Sequence, residues 1–408
     1  MKRVLIIGAG AQGAPCASIL ARDRGVEEIV LGDIDLGLAN KVKEKIGSDK
    51  ITTVKLDAGK IDDIERAAEG MDVIINLTLC QFNANIMEAA LRSGAHYVDA
   101  ALNEPIWTQL VKGQPLELDD EFKAAGLTAL IACGGTPGIT NVLVRYACDK
   151  LDRVDEIRIK VGGKILGEPD EVVSAWDPGW SPEIALMDYA AEPVVFEDGK
   201  YKEYPPFSGC EEYNFPDPVG SALVCHHDHE EALTLPRFIG KGIKYCDFKY
   251  PLDPMAGAFI KMGFASSEPI DVKGVKVAPM DVLMKLVRHP VDTFLTESED
   301  TAKLAPKFTF FSVMEIKGAK SGENVTYILS QSSPSAEENL ELYRKFGTAE
   351  IFVALPAVVG AKMCVEGDAP SGVIAPECLG VVKFLKKMTE MGATVKFSEV
   401  CSKEVAIL

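Results

Sequence analysis

The first 140 residues alternate short apolar runs with longer amphipathic stretches. The runs at 3–7, 28–32, 52–56, 72–77, 96–100 and 128–133 predict strands, and the stretches between them predict helices. Strands that alternate with helices in this way form a parallel sheet. We therefore predict an α/β domain over residues 1–140, a doubly wound parallel sheet of the Rossmann type.

The pattern changes after residue 140. A helix is predicted at 141–150, and strand-like segments recur at 156–163, 243–250, 307–317 and 325–331. These predict a second, α+β domain over 141–346, built on a mostly antiparallel sheet that binds substrate and offers a face for a homodimer. An apolar, alanine-rich stretch at 350–367 predicts a helix that returns to the first domain. We expect residues 347–408 to complete that domain.

The charge of the chain narrows its expected partners. The 408 residues include 61 acidic and 43 basic side chains, a net charge of −18. An acidic surface repels phosphate groups, so we expect neither nucleic acid nor an anionic membrane as a partner. No apolar stretch approaches the roughly 20 residues of a membrane helix, and the N-terminal apolar run breaks at Gly8, too early for a signal peptide.

The ten cysteines are scattered along the chain and form no CxxC pair. In a chain with a large core, this usage indicates free thiols in a reducing compartment. We therefore expect a cytoplasmic protein.

The strongest motif is a glycine loop, GAGAQG, at residues 8–13. It follows the first strand, opens the first helix and lies 20 residues before an acidic residue, Asp33. The first glycine permits a tight turn, the second lets the backbone approach a pyrophosphate, and the third lets the helix pack on the strand. The free N–H groups of the helix then attract the pyrophosphate of a dinucleotide. The expected contacts are Gly8, Gly10, Ala11, Gln12 and Gly13.

Asp33 also predicts the type of dinucleotide. Its carboxylate is expected to accept hydrogen bonds from the adenosine ribose and to repel a 2′-phosphate. Ile34 and the residues that follow it include no nearby arginine or lysine that could hold such a phosphate. The sequence therefore favours NAD over NADP.

Polar residues also end the next strands. Asp57 and Ala58 follow the third strand, where the adenine is expected, and Asn76 and Thr78 follow the fourth, where the nicotinamide half is expected. Asp99 ends the fifth. For Asp57 and Asp99 a second interpretation stays open, namely that they are carboxylates that cap strand ends and turns.

Three of the five histidines fall in the segment HHDHEE at 226–231. The segment could be a metal site, a group that handles substrate or protons, or a solvated polar turn. Neighbouring residues of a strand point to opposite faces, and one short segment rarely completes a metal shell, so we expect no metal. A histidine titrates near neutral pH and suits proton transfer to or from an amine.

Several further stretches appear in order along the chain. They are LDAG at 56–59, DVIIN at 72–76, QFN at 81–83, GAHYVD at 94–99, AGLT at 125–128, TPGITN at 136–141, WSP at 180–182, HEE at 229–231, TLP at 234–236 and GVIAPE at 372–377. Together they resemble the saccharopine dehydrogenase-like superfamily, and most closely its lysine 6-dehydrogenase and saccharopine dehydrogenase branches. Carboxynorspermidine dehydrogenase belongs to the same group, so the amine substrate stays open.

The resemblance implies an oxidoreductase that acts on the C–N bond of an amino acid or an opine-like amine. Hydride passes to the nicotinamide and an imine is left. As a hypothesis, Asp99 and His229 are the acid–base groups, and Pro137 adjoins the cofactor. The resemblance places the substrate near Gln81, Asn141, Trp180, Ser181 and His226.

Two other classes of function remain open from the sequence. The protein could be a nicotinamide enzyme for a hydroxy acid or an aldehyde, and the latter would need a nucleophilic cysteine such as Cys80 or Cys133. It could also be a non-catalytic NAD-binding sensor. Production of NADH that depends on an amine would separate these classes.

Overall fold

A seven-stranded parallel sheet forms the first domain. The computed structural model describes residues 1–165, 176, 178, 180–304 and 308–404. The strands of this sheet are β1 (Arg3–Ile7), β2 (Glu28–Asp33), β3 (Ile51–Lys55), β4 (Val73–Asn76), β5 (His96–Asp99), β6 (Thr128–Leu130) and β17 (Gly372–Ile374). They lie in the order β17-β6-β5-β4-β1-β2-β3, all parallel. This order is that of a doubly wound fold with one added strand.

Eight helices belong to the same part of the fold. They are α1 (Gly13–Arg22), α2 (Leu36–Ile46), α3 (Ile61–Ala68), α4 (Asn83–Ser93), α5 (Glu104–Val111), α6 (Asp119–Ala125), α15 (Ala354–Val365) and α16 (Val381–Met391). A short 3-10 turn, Cys80–Phe82, precedes α4. The predicted helix at 350–367 corresponds to α15, which tolerates Pro356 because the proline lies in its first turn.

The second domain contains a larger, mixed sheet. Its strands are β7 (Arg153–Ile165), β8 (Val194–Glu197), β9 (Lys200–Glu203), β10 (Glu211–Asn214), β11 (Ser221–His226), β12 (Tyr245–Pro251), β15 (Phe308–Lys320), β16 (Glu323–Ser332) and β18 (Phe397–Lys403). Only the pairing of β12 with β7 is parallel in this sheet. The predicted fold, a Rossmann domain followed by a mostly antiparallel α+β domain, is confirmed.

The helices of the second domain are α7 (Ile139–Cys148), α8 (Pro182–Ala190), α9 (Glu231–Ile239), α10 (Pro254–Lys261), α11 (Pro279–Leu286), α12 (Pro290–Thr296), α13 (Glu299–Leu304) and α14 (Ala336–Phe346). A small hairpin, β13 (Ile270–Val272) and β14 (Val275–Val277), separates α10 from α11. No helix in the described ranges has the length and apolar character needed to cross a bilayer.

The two domains share one hydrophobic core. A single buried cluster runs from Ile6 in β1 through Val358 in α15 and Val142 in α7 to Ile157 in β7. The C-terminal part also enters both sheets, because β17 pairs with β6 whereas β18 pairs with β16. The expectation that all of 347–408 would complete the first domain is therefore wrong for 397–403. That strand alternates too weakly in polarity to reveal its partner from sequence.

One expectation about the cysteines also needs correction. Cys210 and Cys225 face each other across the β10–β11 hairpin and form a disulfide. The other eight cysteines are free, as expected. The sequence around 200–225 does not reveal the hairpin that brings this pair together.

Candidate active site

The glycine loop between β1 and α1 forms an open cradle. Gly8 has a φ of +100°, which side chains rarely adopt. A Cβ atom on Gly13 would lie 1.7 Å from the carbonyl oxygen of Gly8, whereas one on Gly10 would meet no atom closer than 3.8 Å. No side chain caps α1, which begins at Gly13. The loop residues, including Ala11 and Gln12, thus fit the pyrophosphate of a dinucleotide.

Asp33 lies beside this loop at the end of β2. Its Oδ2 accepts a hydrogen bond from the backbone N–H of Ala9 at 2.7 Å, and its Oδ1 accepts one from that of Asp35 at 2.8 Å. The side chain of Asp35 in turn accepts from Gly37 N at 2.9 Å and caps α2. Next to Asp33, the side chain of Ile34 is largely exposed. The N-terminus of α2 is therefore already occupied by a carboxylate.

Asp57 serves a local turn after β3. Its carboxylate accepts a hydrogen bond from Gly59 N at 3.0 Å and pairs with Lys60 at 3.0 Å. The hydrogen bond from Lys60 lowers the pKa of Asp57 below its ordinary value. These contacts correspond to the turn-capping interpretation, although Ala58 does lie buried at this edge of the sheet.

A buried polar network joins the ends of β4 and β5. The amide nitrogen of Asn76 donates to Asn83 at 2.8 Å and to the hydroxyl of Tyr97 at 3.0 Å, and its oxygen accepts from Thr78 N at 3.2 Å. Asp99 Oδ2 accepts from Asn83 at 3.0 Å and from Tyr97 at 2.8 Å. This network fixes the backbone where β4 ends, next to the glycine loop.

The carboxyl group of Asp99 is fully engaged in this network. Its Oδ1 accepts from Ala132 N at 2.6 Å, so both oxygens are used within the protein. Burial raises the pKa of Asp99 to about 7. A group held in this way is suited to position the strand ends around a substrate, and it has little freedom to exchange protons with one.

His229 is oriented by a carboxylate and a hydroxyl. Its Nδ1 pairs with Oε2 of Glu231, and Oε1 of Glu231 accepts a hydrogen bond from Thr140 Oγ1 at 2.6 Å. The imidazole stacks on Phe248 with a centroid distance of 3.9 Å. Because Nδ1 faces Glu231, Nε2 is the nitrogen left to meet a ligand. These two hydrogen bonds orient the imidazole of His229 for proton transfer.

The carboxylates around His229 reverse the effect of its burial. Burial alone would lower the pKa of His229, but Glu231 and then Glu230 raise it, and the pKa rises to about 9. The imidazole is therefore protonated at neutral pH. It can donate a proton to a developing amine, and it can accept one in the reverse direction after it has lost its proton.

Three further carboxyl groups surround His229. They are Asp188 on α8, Asp228 and Glu230, each of which interacts electrostatically with the imidazole. Glu230 accepts a hydrogen bond from Leu102 N at 3.1 Å, which connects the second domain to the loop after β5. Burial raises the pKa of each of the three, that of Asp228 to about 7, and each is raised further by a neighbouring carboxylate. Within this cluster His229 is the one group that can carry a positive charge, and it already pairs with Glu231.

Comparisons with known proteins place the chain in a family. Residues 4–130 match the saccharopine dehydrogenase NADP binding domain, and residues 134–393 match the saccharopine dehydrogenase C-terminal domain. The chain belongs to the saccharopine dehydrogenase family. The predicted family and the predicted class, a pyridine-nucleotide-dependent dehydrogenase, are confirmed.

The relatives within this family include proteins that carry polyamine names. Carboxyaminopropylagmatine dehydrogenase of Synechocystis sp. is 26% identical over 409 residues, which cover 96% of each chain. Carboxynorspermidine synthase of Vibrio cholerae is 25% identical over 428 residues, which cover 95% of each chain.

Solved structures share the fold. Saccharopine dehydrogenase (L-Glu forming) from Saccharomyces cerevisiae superposes with a TM-score of 0.66 at 16% identity and covers 98% of this chain and 100% of that one. Homospermidine synthase from Legionella pneumophila, in complex with NAD, gives 0.63 at 12% identity and covers 98% of this chain and 91% of that one.

Several residues predicted to bind substrate also make contacts within the protein. Asn141 is fully buried, and its amide bonds to Gly138 N, Thr234 and Glu377. It therefore joins α7, α9 and the turn after β17. His226 lies 3.4 Å from Asp247 and beside Tyr204, and it lines a small cavity together with Asp188 and Asp228.

Ser181 has a structural contact that the sequence did not reveal. Its hydroxyl caps α8 by accepting a hydrogen bond from Ile184 N at 3.4 Å, and Trp180 packs on the apolar cluster beside that helix. Gln81 is exposed in the turn after β4, and Pro137 lies buried in the turn after β6. These last two stay near the edge where the nicotinamide half was predicted.

The sequence did not reveal the individual roles of three site residues. Thr140 and Glu231 orient His229, and Asp188 adds a carboxyl group from α8. Asp188 lies seven residues after Ser181, two helical turns from the predicted pocket segment, so helical periodicity could have found it. Thr140 carries no comparable signal, because its contact with Glu231 spans 91 positions.

His229, Glu230 and Glu231 are residue types that can bind a metal ion. In the described residues, ligand atoms of His229, Glu230 and Glu231 lie within 4.8 Å of one another. These atoms already bond to each other, to Thr140 and to Leu102. The arrangement therefore has an internal explanation that needs no ion.

Proposed function

We propose that the chain catalyses NAD-dependent transfer of hydride at the C–N bond of a carboxyl-bearing polyamine. The observation that supports this substrate class best is the cluster of Asp188, Asp228 and Glu230 around His229. The cluster lies against the loop after β5, beside the carboxyl edge of the dinucleotide sheet. Ligands of such sheets bind at that edge.

The charge of the cluster favours a substrate with several amines. Carboxyl groups whose pKa values are raised by one another are stabilised when a cation comes between them. A polyamine carries ammonium groups along an extended chain and supplies that charge. Saccharopine has three carboxylates and would instead need several basic side chains in the same place. The two full-length relatives with polyamine names support the same choice.

The chemistry assigns separate tasks to the side chains. The dinucleotide, when bound, supplies or accepts the hydride. In the reductive direction, His229 donates a proton from Nε2 to the substrate nitrogen as the imine becomes a secondary amine. In the oxidative direction, neutral His229 takes that proton back. Glu231 and Thr140 hold the ring, and Asp188 binds an ammonium group at a distance from the reacting nitrogen.

The choice of NAD over NADP rests on Asp33 and Asp35. The carboxylate of Asp33 lies next to the glycine loop. There it can accept hydrogen bonds from the hydroxyl groups of a ribose, and its negative charge repels a phosphate. The helix terminus that could otherwise bind a 2′-phosphate is capped by Asp35. The matching domain bears an NADP name, so both dinucleotides belong in every assay.

The test is oxidation of carboxylated polyamines by the purified chain, followed as NADH or NADPH formation. Carboxynorspermidine and carboxyaminopropylagmatine should react, and lysine, saccharopine and a hydroxy acid serve as comparison substrates. Turnover of a carboxylated polyamine with NAD supports the proposal. Faster turnover of saccharopine or lysine would refute the substrate class, and NADH binding without any turnover would favour a sensor.

Three expectations about the whole protein stay predictions. They are the homodimer, the cytoplasmic location and the division of the chain near residues 140 and 347. Sedimentation analysis of the purified chain would test the first.

A further inference from the structure

The segment 251–304 extends from the substrate side of the molecule to the glycine loop. At one end, α10 and α11 pack on α8, the helix that carries Asp188. At the other end, α12 packs on α1 and α2 of the first domain. The course of the segment suggests that it contributes to the dinucleotide site.

Two hydrogen bonds hold the far end of the segment to the first domain. Lys45 in α2 donates from Nζ to the carbonyl oxygen of Glu297 at 2.9 Å. The carboxylate of Glu297 accepts from Ala349 N at 3.0 Å. Both hydrogen bonds are made by Glu297, the residue directly after α12. They therefore hold that helix in position over the glycine loop.

His289 is the residue of this segment that reaches the loop. Its Cε1 atom lies 3.8 Å from the position that a Cβ atom would take on Gly10, and in the described residues no other atom outside Gly10 and its chain neighbours lies within 4 Å of that position. The side chain is otherwise exposed, so packing does not account for its placement. Gly10 is the position at which the bare backbone leaves room for a pyrophosphate.

The protonation pattern of His289 follows from its capping contact. Its Nδ1 accepts a hydrogen bond from Val291 N at 3.2 Å. In the neutral ring the proton therefore resides on Nε2, the nitrogen that adjoins Cε1 on the other side. An N–H donor is thus available beside Gly10.

We propose that Nε2 of His289 donates a hydrogen bond to the pyrophosphate of the bound dinucleotide, so that the second domain completes the cofactor site of the first. The inference rests only on the dinucleotide part of the proposed function. It makes no use of the amine substrate or of His229.

Two substitutions separate this role from helix capping. His289→Ala removes both the cap of α12 and the Nε2 donor. His289→Asn keeps a side-chain oxygen that can cap α12, but its shorter side chain does not reach the loop. Thermal unfolding of the full-length variants shows whether each keeps its fold.

The binding of three ligands is then compared by titration. For NADH and for ADP-ribose, which both contain the pyrophosphate, each variant should bind about tenfold more weakly, as expected for one lost hydrogen bond to a charged group. Adenosine, which lacks the pyrophosphate, should bind as it does to the unmodified chain.

Several results would overturn the inference. If His289→Asn binds NADH normally and only His289→Ala is weakened, the residue acts as a cap. If both variants bind as tightly as the unmodified chain or more tightly, the imidazole contributes nothing or obstructs the site. An unmodified chain that binds no dinucleotide would refute the proposed function itself.

Discussion

One carboxylate oxygen of Glu231 accepts a hydrogen bond from Nδ1 of His229, and the other accepts a hydrogen bond from the hydroxyl of Thr140 at 2.6 Å. One buried carboxylate thus sets the tautomer, the orientation and the charge of the imidazole. The contact between Glu231 and His229 therefore predicts how the pH dependence of turnover changes when the charge of Glu231 is removed.

Replacing Glu231 with Gln should shift the alkaline limb of the reductive reaction to lower pH. The pKa of His229 is about 9 because Glu231, with help from Glu230, outweighs the effect of burial. Without that charge the imidazolium loses its proton at lower pH, and the proton donor is lost earlier. The measurement is the pH profile of kcat/KM. Glu231→Gln with an unchanged alkaline limb would contradict the assignment.

Replacing His229 with Ala should lower kcat about 100-fold or more, the usual contribution of a positioned acid–base group. The affinity for NADH should not change, because His229 lies on the substrate side of the site. Thr140→Val keeps the shape of the side chain and removes the hydroxyl, so a smaller loss of kcat is expected. An equal loss of NADH affinity and kcat in His229→Ala would indicate a structural role.

Replacing Asp188 with Asn should raise KM for the polyamine about tenfold and change kcat less. The variant loses one charge that binds a distal ammonium group, an interaction made in both the ground and the transition state. Glu183→Gln is the matched control, because Glu183 lies on the same helix but faces Asp281. Similar effects of the two substitutions would show that only the total charge of α8 matters.

Replacing Asp33 with Ala should reduce kcat/KM for NADH about tenfold or more, since the ribose loses a charged acceptor. The kcat/KM for NADPH should fall less, so the ratio of kcat/KM for NADH to that for NADPH should decrease. Asp57→Asn is the control, because its carboxylate is already engaged by Gly59 and Lys60. An unmodified chain that prefers NADPH would refute the cofactor assignment.

The burial of Glu377 should make the free energy of unfolding decrease as the pH rises. The group is fully buried, and burial raises its pKa from 4.5 to about 7 in the folded chain. Between these values Glu377 keeps its proton in the folded chain and releases it in the unfolded chain, so its contribution to stability is largest below pH 4.5 and is lost by about pH 7. From ~1.4 kcal/mol per pKa unit, this contribution is on the order of 3 kcal/mol.

Glu377→Gln tests this prediction. The amide imitates the protonated acid and keeps an oxygen that can accept from Asn141, whose nitrogen lies 3.0 Å from the carboxyl group. The free energy of unfolding should therefore depend less on pH between 5 and 8 in the variant. Parallel pH curves for the two proteins would show that another group is responsible.

The sequence predicted the first domain well because its signals are local. Each strand of the parallel sheet is a continuous apolar run, and the glycine loop with Asp33 has a fixed spacing. The same logic found His229, because three histidines stand together in a chain that has five. It could not separate His229 from His226, which strand geometry turns toward Asp247.

Contacts that span the chain could not be predicted in this way. Asn141 was expected to line a pocket, but its amide reaches Glu377, 236 positions away. The pairing of β18 with β16 and the approach of His289 to Gly10 are of the same kind. Each depends on how whole elements pack, and neither periodicity nor composition records that information.

The path of the backbone has a mechanical consequence. The chain passes from the first sheet to the second after β6, returns through α15 to β17, and crosses again to reach β18. Three segments of the chain therefore connect the two domains, and the other two segments resist a rotation of the domains about any one of them. We expect ligands to bind and leave without a change in the angle between the two sheets, which move as one rigid frame.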